Sequence, residues 1–343
     1  MSTSVIADLN NAALRAELQT AIDQKTKPVG SLGRLEELAL QLGMVLGTVK
    51  PVLEQPQMVV FAGDHGLAKQ GVSAYPQDVT WQMVENFLAG GAAVNVLSRQ
   101  NGVALHVADC GVAHDFAPRA MLHDLKVAYG TADSTQGPAM TTEQCTRAME
   151  NGRALLRQLP GNAVLLGEMG IGNTSAASLL LARLHGVPIA DCTGAGTGLD
   201  SAGVQRKAAI LQRVLQANPT TTALEALAAL GGFEIATMVG FILEAAAQNR
   251  VIVIDGVIVT AALLVAVQIE PLVRQRCVFA HTSGEPGHRY MLDILQAQPL
   301  LQWGMRLGEG SGAALVWPLL QSACTMLRDM ASFASAGVDG KSA

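Results

Sequence analysis

Five apolar segments that each break off at a glycine set the strongest limit on what this chain can fold into. Within each segment the apolar residues run continuously instead of alternating, and polar side chains follow at the break. Continuous apolar strands separated by helical stretches are typical of a parallel sheet that is covered on both faces. The sequence therefore predicts an α/β fold with a mostly parallel sheet, whose strands lie in residues 58–66, 104–112, 163–173, 251–257 and 277–288.

Helical stretches precede and follow the predicted sheet. Residues 8–23 predict a first helix, and leucines at steps of three and four residues give a second helix one apolar face, at positions 35, 38, 42 and 46. The stretch after residue 306 also predicts helix, and the Ser/Gly/Ala-rich tail from Ser332 onward is expected to be disordered. We expect the two ends to form a small helical domain, residues 1–55 with 300–343, beside a large α/β catalytic domain, residues 56–299.

Composition and charge exclude several classes of protein. At 343 residues the chain exceeds the usual size of a single core, and its 50% hydrophobic residues suit close packing of helices on a sheet. A net charge of −5 without a basic run argues against nucleic acid as the main partner. Apolar runs are too short for a membrane span and the N-terminus lacks the pattern of a secretion signal, so we expect a cytoplasmic protein.

The cysteines are widely spaced along the chain. None of the five forms a CxxC pair or has a His partner at the spacing of a zinc site. This spacing argues against a disulfide framework and against a structural metal. The sequence predicts buried, reduced thiols at positions 110, 145, 192, 277 and 324.

A glycine-rich turn in the segment LLGEMGIGNTSAASLLL (165–181) connects a predicted strand to a predicted helix. Gly170 and Gly172 allow the backbone to approach a ligand closely, and Asn173 or Thr174 suits the first turn of the helix. The free N–H groups of a helix N-terminus favour an anion such as a monophosphate. A tight turn with a helix cap explains the same residues equally well.

Two further segments add anion-binding groups to the same edge of the sheet. The turn TGAGTGLD (193–200) leads into a helix that carries Lys207 about two turns in, where the lysine either reaches back to the turn or lies on the surface. Ser283 and Gly284 supply a hydroxyl and an amide after the last strand. Ligands of parallel sheets bind outside the carboxyl ends of the strands, so three such sites together predict a phosphosugar ligand.

Two glutamates occupy similar positions, each after a glycine at the end of an apolar approach. An ionised Glu168 beside a phosphate would be repelled, so we expect it to face the sugar or a cationic group. Glu309 is a second acid suited to general base catalysis, although either residue also suits a helix cap. Asp255 ends another strand, where it either faces the ribose or orients backbone amides.

Seven motifs, in order along nearly the whole chain, match those of one known family. They are KPVGSLGRLEELA (27–39), GDHG (63–66), GEMGIGNTS (167–175), GAGTGLD (194–200), GGFEIATMVG (231–240), IDGVIVTAALL (254–264) and RLGEGSGAAL (306–315). On these motifs the chain closely resembles the nicotinate-nucleotide:dimethylbenzimidazole phosphoribosyltransferases of cobamide lower-ligand assembly. The resemblance implies a three-layer, Rossmann-like α/β domain, a small helical domain from both termini, and a homodimer.

The resemblance also implies a reaction and the residues that carry it. Nicotinate mononucleotide and 5,6-dimethylbenzimidazole would give α-ribazole 5′-phosphate and nicotinate, without a metal or a cofactor. Glu309 matches the family's general base, and Glu168 matches a second essential carboxylate near the ribose. Lys207 and Ser283 match the groups around the phosphate together with the turn at 170–174, and Asp255 matches an acid of the ribose region.

The base pocket is the part of the site that the resemblance predicts least directly. The segment VSAYPQDVTWQM (72–83) is expected to line it, with Leu307 beneath the general base. The candidates in that segment are Tyr75, Gln82 and Met83.

Two other functions compete with this one. A magnesium-dependent phosphoribosyltransferase with a diphosphate donor usually has two adjacent acids in its ribose-phosphate loop, but here Gly256 follows Asp255 in place of the second acid. A non-catalytic nucleotide-binding protein would use the glycine turns for recognition alone. Activity that survives chelation would exclude the magnesium-dependent enzyme, and measurable turnover would exclude the non-catalytic protein.

Overall fold

A six-stranded parallel sheet forms the centre of the molecule. The computed structural model describes residues 5–196 and 198–339, and within these residues the strand order is β3-β2-β1-β4-β5-β6. Each of the five predicted apolar segments overlaps one strand, so the predicted parallel sheet is confirmed. The strands are β1 Gln57–Gly63, β2 Ala104–Gly111, β3 Leu122–Asp124, β4 Ala163–Met169, β5 Val251–Ile254 and β6 Cys277–Phe279.

Helices connect the strands and cover the sheet. Two short 3-10 helices, Gly66–Gln70 and Pro271–Arg276, lie among them. The α-helices in the described part of the chain are α1 Ala12–Asp23, α2 Arg34–Leu46, α3 Val79–Ala89, α4 Ala93–Gln100, α5 Thr142–Gln158, α6 Asn173–His185, α7 Ile189–Cys192, α8 Ser201–Ala217, α9 Ala223–Leu230, α10 Phe233–Ala247, α11 Val257–Ile269, α12 Pro286–Ile294, α13 Ser311–Asp329 and α14 Phe333–Ala336.

Alternate residues of each central strand face two separate hydrophobic cores. On β1, Val59 and Phe61 pack into a core shared with α5, α6, α10 and α11. Met58 and Val60 point the other way, into a core shared with α2, α3, α4 and α13. Because side chains alternate along a strand, a sheet buried on both faces must be apolar at every position, which explains the continuous apolar runs. The three-layer α/β arrangement is confirmed.

Helices from the two ends of the chain pack together and onto one face of the sheet. Leu18 of α1, Leu38 of α2 and Trp317 of α13 belong to the same core as Met58 of β1. The side chain of Lys25 donates a hydrogen bond to the carbonyl of Met330 over 2.6 Å. The division into a small helical domain, 1–55 with 300–343, and a large domain, 56–299, stays a prediction.

The tail beyond Ser332 differs from the prediction of disorder. Phe333–Ala336 forms helix α14, whose first turn is closed by hydrogen bonds between Ser332 and Ser335. The Phe333 amide donates to the Gln24 carbonyl over 3.0 Å, which ties the tail to the end of α1. The prediction was therefore wrong for these residues, because a capping box overrides the unfavourable composition. Residues 340–343 lie outside the described part.

Two simpler expectations concern the cysteines and membrane insertion. All five cysteines are free and buried, which confirms the predicted reduced thiols. Burial raises the pKa of the Cys277 thiol to about 12, so this sulfur stays protonated at neutral pH. Across residues 5–196 and 198–339, no helix combines the length and apolar character that crossing a membrane requires.

The order of the strands fixes where a ligand can bind. Strand β1 lies between β2 and β4, and the chain runs outward in opposite directions from this point. In open parallel sheets this reversal leaves a crevice at the carboxyl ends of the two strands. Glu168 pairs in register with Phe61, so it lies at the carboxyl end of β4 beside this crevice.

Candidate active site

A cavity of about 630 Å³ opens at the carboxyl ends of the strands. It is lined by segments that are far apart in sequence, namely the start of α3, the turn after β4, the glycine turn at Gly196, the residues that follow β5 and β6, and residues 306–309 before α13. Nine of the predicted site residues line it, which are Tyr75, Met83, Glu168, Gly170, Asn173, Thr174, Ser283, Leu307 and Glu309. The structure therefore brings both predicted carboxylates to one cavity.

Glu168 lies at the end of β4 and is buried. Its Oε2 accepts a hydrogen bond from the side-chain amide of Asn173 in the first turn of α6. Burial raises the pKa of Glu168 to about 8, the charges of Asp255, Glu234 and Glu309 act in the same direction, and the hydrogen bond from Asn173 opposes them. At neutral pH Glu168 is therefore mostly protonated in the free protein.

Glu309 sits in a strained turn directly before α13. Its φ angle is +65°, and the flanking Gly308 and Gly310 have φ angles of +83° and +87°. Three consecutive left-handed residues require glycines on either side, because side chains rarely adopt this conformation. Its Oε2 is buried without a hydrogen-bond partner among the described residues. Burial, followed by the charge of Asp255, raises the pKa of Glu309 to about 7.

The turn at Glu309 packs directly against strand β4. A Cβ atom on Gly167 would lie 2.2 Å from the carbonyl oxygen of Glu309, so only glycine allows this approach. A Cβ atom on Gly308 would likewise lie 2.3 Å from Oε1 of Glu168. These close contacts place the turn that carries Glu309 directly against Gly167 and the side chain of Glu168, although the two segments are distant in sequence.

Asp255 holds the Glu309 turn from behind and does not line the cavity. Its Oδ2 accepts the Gly310 amide and its Oδ1 accepts the Ala313 amide, each over 3.1 Å. His281 Nε2 lies 3.3 Å from the same carboxylate. A carboxylate at the start of a helix satisfies free N–H groups and the helix dipole. This geometry matches the alternative in which Asp255 orients amides, and its role toward the ribose stays a prediction.

Lys207 reaches the glycine-rich turn from helix α8. Its side chain is 1% exposed, so the alternative of a surface lysine is wrong. Its Nζ donates a hydrogen bond to Oγ1 of Thr174 over 2.9 Å, and Thr174 lines the cavity. Burial lowers the pKa of Lys207 to about 8, and the charge of Glu285 opposes the shift. Its ammonium lies directly behind the turn.

Some predicted residues lie outside the cavity lining. Gly172 directly precedes α6 with a φ angle of +98°, and Gln82 is exposed on α3. Gly284 gives its amide to the Met305 carbonyl over 3.0 Å, which leaves that N–H without a free hydrogen for a ligand. Thr197, part of the second glycine turn, lies outside the described residues.

Sequence reasoning missed several residues in and around the cavity, among them Glu285, His65 and Glu234. Glu285 lines the cavity and accepts the Gly196 amide over 3.0 Å. His65 Nε2 lies 2.6 Å from Glu234 Oε1, with both side chains buried. Burial acts to lower the pKa of His65, but the ion pair with Glu234 outweighs it, and the pKa is raised. The GDHG motif at the end of β1 was the available signal for His65, and the sequence HTSGEPGH was the signal for Glu285.

Nearly the whole chain is similar to proteins that are already known. The model of a family described as Phosphoribosyltransferase matches residues 7–338. The chain belongs to this family. The resemblance that the seven motifs predict is thereby confirmed.

Relatives in the phosphoribosyltransferase family cover almost the full length. A protein of Variovorax paradoxus, named nicotinate-nucleotide–dimethylbenzimidazole phosphoribosyltransferase, is 62% identical over 98% of this chain and 97% of its own. A protein of the same name from Dechloromonas aromatica is 56% identical over 96% and 97%. The crystal structure of CobT from Thermus thermophilus has a TM-score of 0.92 at 42% identity, covering 95% of this chain and 99% of that one.

Proposed function

We propose that this protein transfers the phosphoribosyl group of nicotinate mononucleotide to 5,6-dimethylbenzimidazole. The products are α-ribazole 5′-phosphate, for the lower ligand of cobamides, and nicotinate. One observation carries the proposal: two buried carboxylates with raised pKa values, Glu168 and Glu309, face one cavity whose glycine turn is backed by Lys207. The names of the full-length relatives support the same reaction.

Glu309 is the proposed general base. The attacking nitrogen of the benzimidazole gains positive charge as it bonds to C1′ of the ribose, so the proton on the other nitrogen becomes acidic. A carboxylate must accept that proton, and a base works best when its pKa lies near the working pH. The pKa of about 7 and the unpartnered Oε2 of Glu309, among the described residues, both suit this role.

Glu168 is proposed to serve the ribose and its developing charge. The donor carries a pyridinium, and a nearby cation favours the ionised form of a carboxyl group. Binding of the donor therefore lowers the pKa of Glu168 from about 8, and the carboxylate then stabilises the positive charge that spreads over the ribose ring. Nicotinate leaves as a neutral ring and needs no acid. Attack from the opposite face gives the α-linked product.

The phosphate of the donor is proposed to bind at the glycine-rich turn. Gly170, Asn173 and Thr174 line the cavity at the N-terminus of α6, where N–H groups favour an anion. Ser283 also lines the cavity, and the Lys207 ammonium, which donates a hydrogen bond to Thr174, adds positive charge beside the turn. Gly172 and Asp255 keep their predicted roles in this proposal although neither lines the cavity. The Gly284 amide is not part of it, because that N–H is already bonded to the Met305 carbonyl.

The base pocket is proposed to lie between Tyr75, Met83 and Leu307, with Gln82 nearby on α3. Tyr75 and Leu307 are 52% and 58% exposed, so this side of the cavity is open in the single chain. We also propose a cytoplasmic homodimer with a small helical domain of both termini, as the family resemblance implies.

The reaction is tested by incubating the protein with nicotinate mononucleotide and equal amounts of three bases, with products separated by mass. An apolar pocket discriminates a methyl group by about 1–3 kcal/mol, so dimethylbenzimidazole should exceed benzimidazole by a modest factor. Adenine should be several-fold to several-hundredfold worse, because each unpaired buried polar group costs about 1–3 kcal/mol. Loss of activity under chelation would favour the magnesium-dependent alternative, and absence of any product would favour a binding protein.

A further inference from the structure

Glu285 is a carboxylate inside the region proposed to bind the phosphate, and the proposed mechanism gives it no role. Its Oε1 accepts a hydrogen bond from the Gly196 amide over 3.0 Å, and both residues line the cavity. Its charge also opposes the effect of burial on the pKa of Lys207. A negatively charged side chain thus accepts a hydrogen bond from one backbone amide of a glycine-rich turn that is suited to binding an anion.

The neighbourhood of Gly196 joins this carboxylate to the phosphate-binding residues. A Cβ atom on Gly196 would lie 3.2 Å from Thr174 Oγ1 and 3.6 Å from Lys207 Nζ. On the other side of the turn, a Cβ atom on Gly194 would lie 2.1 Å from Oε2 of Glu285, so the turn closes tightly around the carboxylate. The Gly196 turn therefore lies against the Thr174 hydroxyl and the Lys207 ammonium, and its amide is bonded to Glu285.

We propose that Glu285 is a placeholder for the phosphate of the mononucleotide. In the free enzyme its carboxylate binds the Gly196 amide and balances the charge of Lys207, and it gives up both to the phosphate. The proposal rests on the proposed function, in which this turn binds a phosphate. A carboxylate and a phosphate repel each other and cannot share one N–H donor, so phosphate binding must displace the glutamate.

Displacement has a consequence for affinity. Part of the binding free energy of the phosphate is used to move Glu285 away. The affinity for substrate and product is therefore lower than it would be if the hydrogen-bond donors of the turn were free. Because both carry the same phosphate, the placeholder weakens product binding as well as substrate binding. It also keeps the buried Lys207 charged between turnovers, since a nearby negative charge favours the ammonium form.

Calorimetric titration of inorganic phosphate into the wild type, Glu285→Gln and Glu17→Gln tests the proposal. The glutamine keeps the shape and an oxygen for the Gly196 amide but removes the charge. Glu17 is exposed on α1, so its variant makes the same change of charge away from the cavity. The dissociation constant for phosphate should fall roughly 3- to 30-fold in Glu285→Gln and stay at the wild-type value in Glu17→Gln.

An unchanged or larger dissociation constant in Glu285→Gln would overturn the placeholder. Should that variant fail to fold, the carboxyl ¹³C resonance of Glu285 in labelled wild-type protein decides instead, because saturating phosphate must shift it and a fixed resonance overturns the proposal. The proposed function fails separately, when wild-type protein yields no product from nicotinate mononucleotide and dimethylbenzimidazole. A normal yield of product with no change in phosphate affinity would remove the placeholder alone.

Discussion

At the scale of single residues, the two glutamates differ in what holds them. Glu168 is tied to Asn173, whereas Oε2 of Glu309 is buried without a partner among the described residues. A carboxylate that accepts a hydrogen bond is held in one position, and one with a free buried oxygen is ready to accept a proton. This difference fits separate roles for two acids in one cavity, a recurring arrangement in enzymes.

The variant Glu309→Gln tests the proposed base. It keeps the shape of the side chain and removes its basicity, so turnover should fall on the order of 10²- to 10⁴-fold. In the wild type, kcat/KM should fall as the pH drops below about 7, since protonation of Glu309 removes the base. Steady-state kinetics over a range of pH values measures both effects, and circular dichroism checks the fold. Turnover near the wild-type level would contradict the assignment.

Lys207→Ala addresses the phosphate contact. Phosphate binding is largely equal in the ground state and the transition state, so the KM for the mononucleotide should rise more than turnover falls. Arg213→Ala is the matched control, because Arg213 is a cation exposed on the same helix α8. Initial rates at varied donor concentration measure the two constants. An unchanged KM for Lys207→Ala would mean that this ammonium does not act on the phosphate.

At the scale of secondary-structure elements, the start of α13 carries the proposed base. The carboxylate of Asp255, directly after β5, accepts two amides of this start, from Gly310 and Ala313. Through Asp255, strand β5 thereby fixes the position and orientation of the turn that holds Glu309. A residue outside the cavity lining is thus expected to control the chemistry within it.

Asp255→Asn tests this control. The side-chain amide of asparagine has one oxygen and one N–H₂ group, so it can accept only one of the two backbone N–H groups that Asp255 accepts. The turn should therefore loosen, and kcat should fall about 10- to 100-fold. Because the charge of Asp255 contributes to the raised pKa of Glu309, its removal should also shift the acid limb of the pH profile to lower pH. Asp200→Asn, the same change at the cap of α8, should leave that limb in place. A profile of unaltered position in Asp255→Asn would argue against electrostatic coupling.

Much of the cavity wall was predictable at this scale, because its residues follow apolar strands directly. Glu168 and Gly170 come at the end of one such run, and Lys207 lies a fixed number of helical turns after another glycine turn. The parallel sheet and its layers followed from the same pattern. Strand β3 was not predictable, since its three residues, LHD, show no apolar run.

Other features depend on contacts between distant segments, which no local pattern contains. The hydrogen bonds of Asp255 with the start of α13, and of Glu285 with Gly196, join residues that are far apart in the chain. The exposure of Gln82 depends on the rotation of α3 against the sheet, and an error of one position changes that rotation by about 100°. Local sequence patterns therefore predicted which kinds of side chain lie at the site, but not all of the residues with which they form hydrogen bonds.

At the scale of the whole molecule, the fold holds acids in an environment that disfavours their charge. Both glutamates have pKa values above the ordinary value of 4.5, about 8 for Glu168 and about 7 for Glu309. The folded state thus binds their protons more tightly than the unfolded chain does. Their contribution to stability is complete below about pH 4.5 and is lost as the pH rises through 7 to 8.

Glu168→Gln should reduce this dependence of stability on pH. The free energy of unfolding should fall less between about pH 5 and about pH 9 in the variant than in the wild type, by a few kcal/mol, since each pKa unit corresponds to about 1.4 kcal/mol. Urea unfolding at several pH values measures it, with Glu17→Gln as the control for a change of charge elsewhere. Equal slopes for the wild type and Glu168→Gln would show that folding leaves this carboxyl group unshifted.

The contact between Gly167 and Glu309 joins two segments that are synthesised at different times. A ribosome completes β4 long before it reaches α13, so the nascent chain presents the wall of the cavity without the turn that holds the proposed base. Since α13 packs against α2 as well as the sheet, its docking is the step that closes the site. Chains released before α13 has emerged should contain all six described strands of the sheet and yet be inactive.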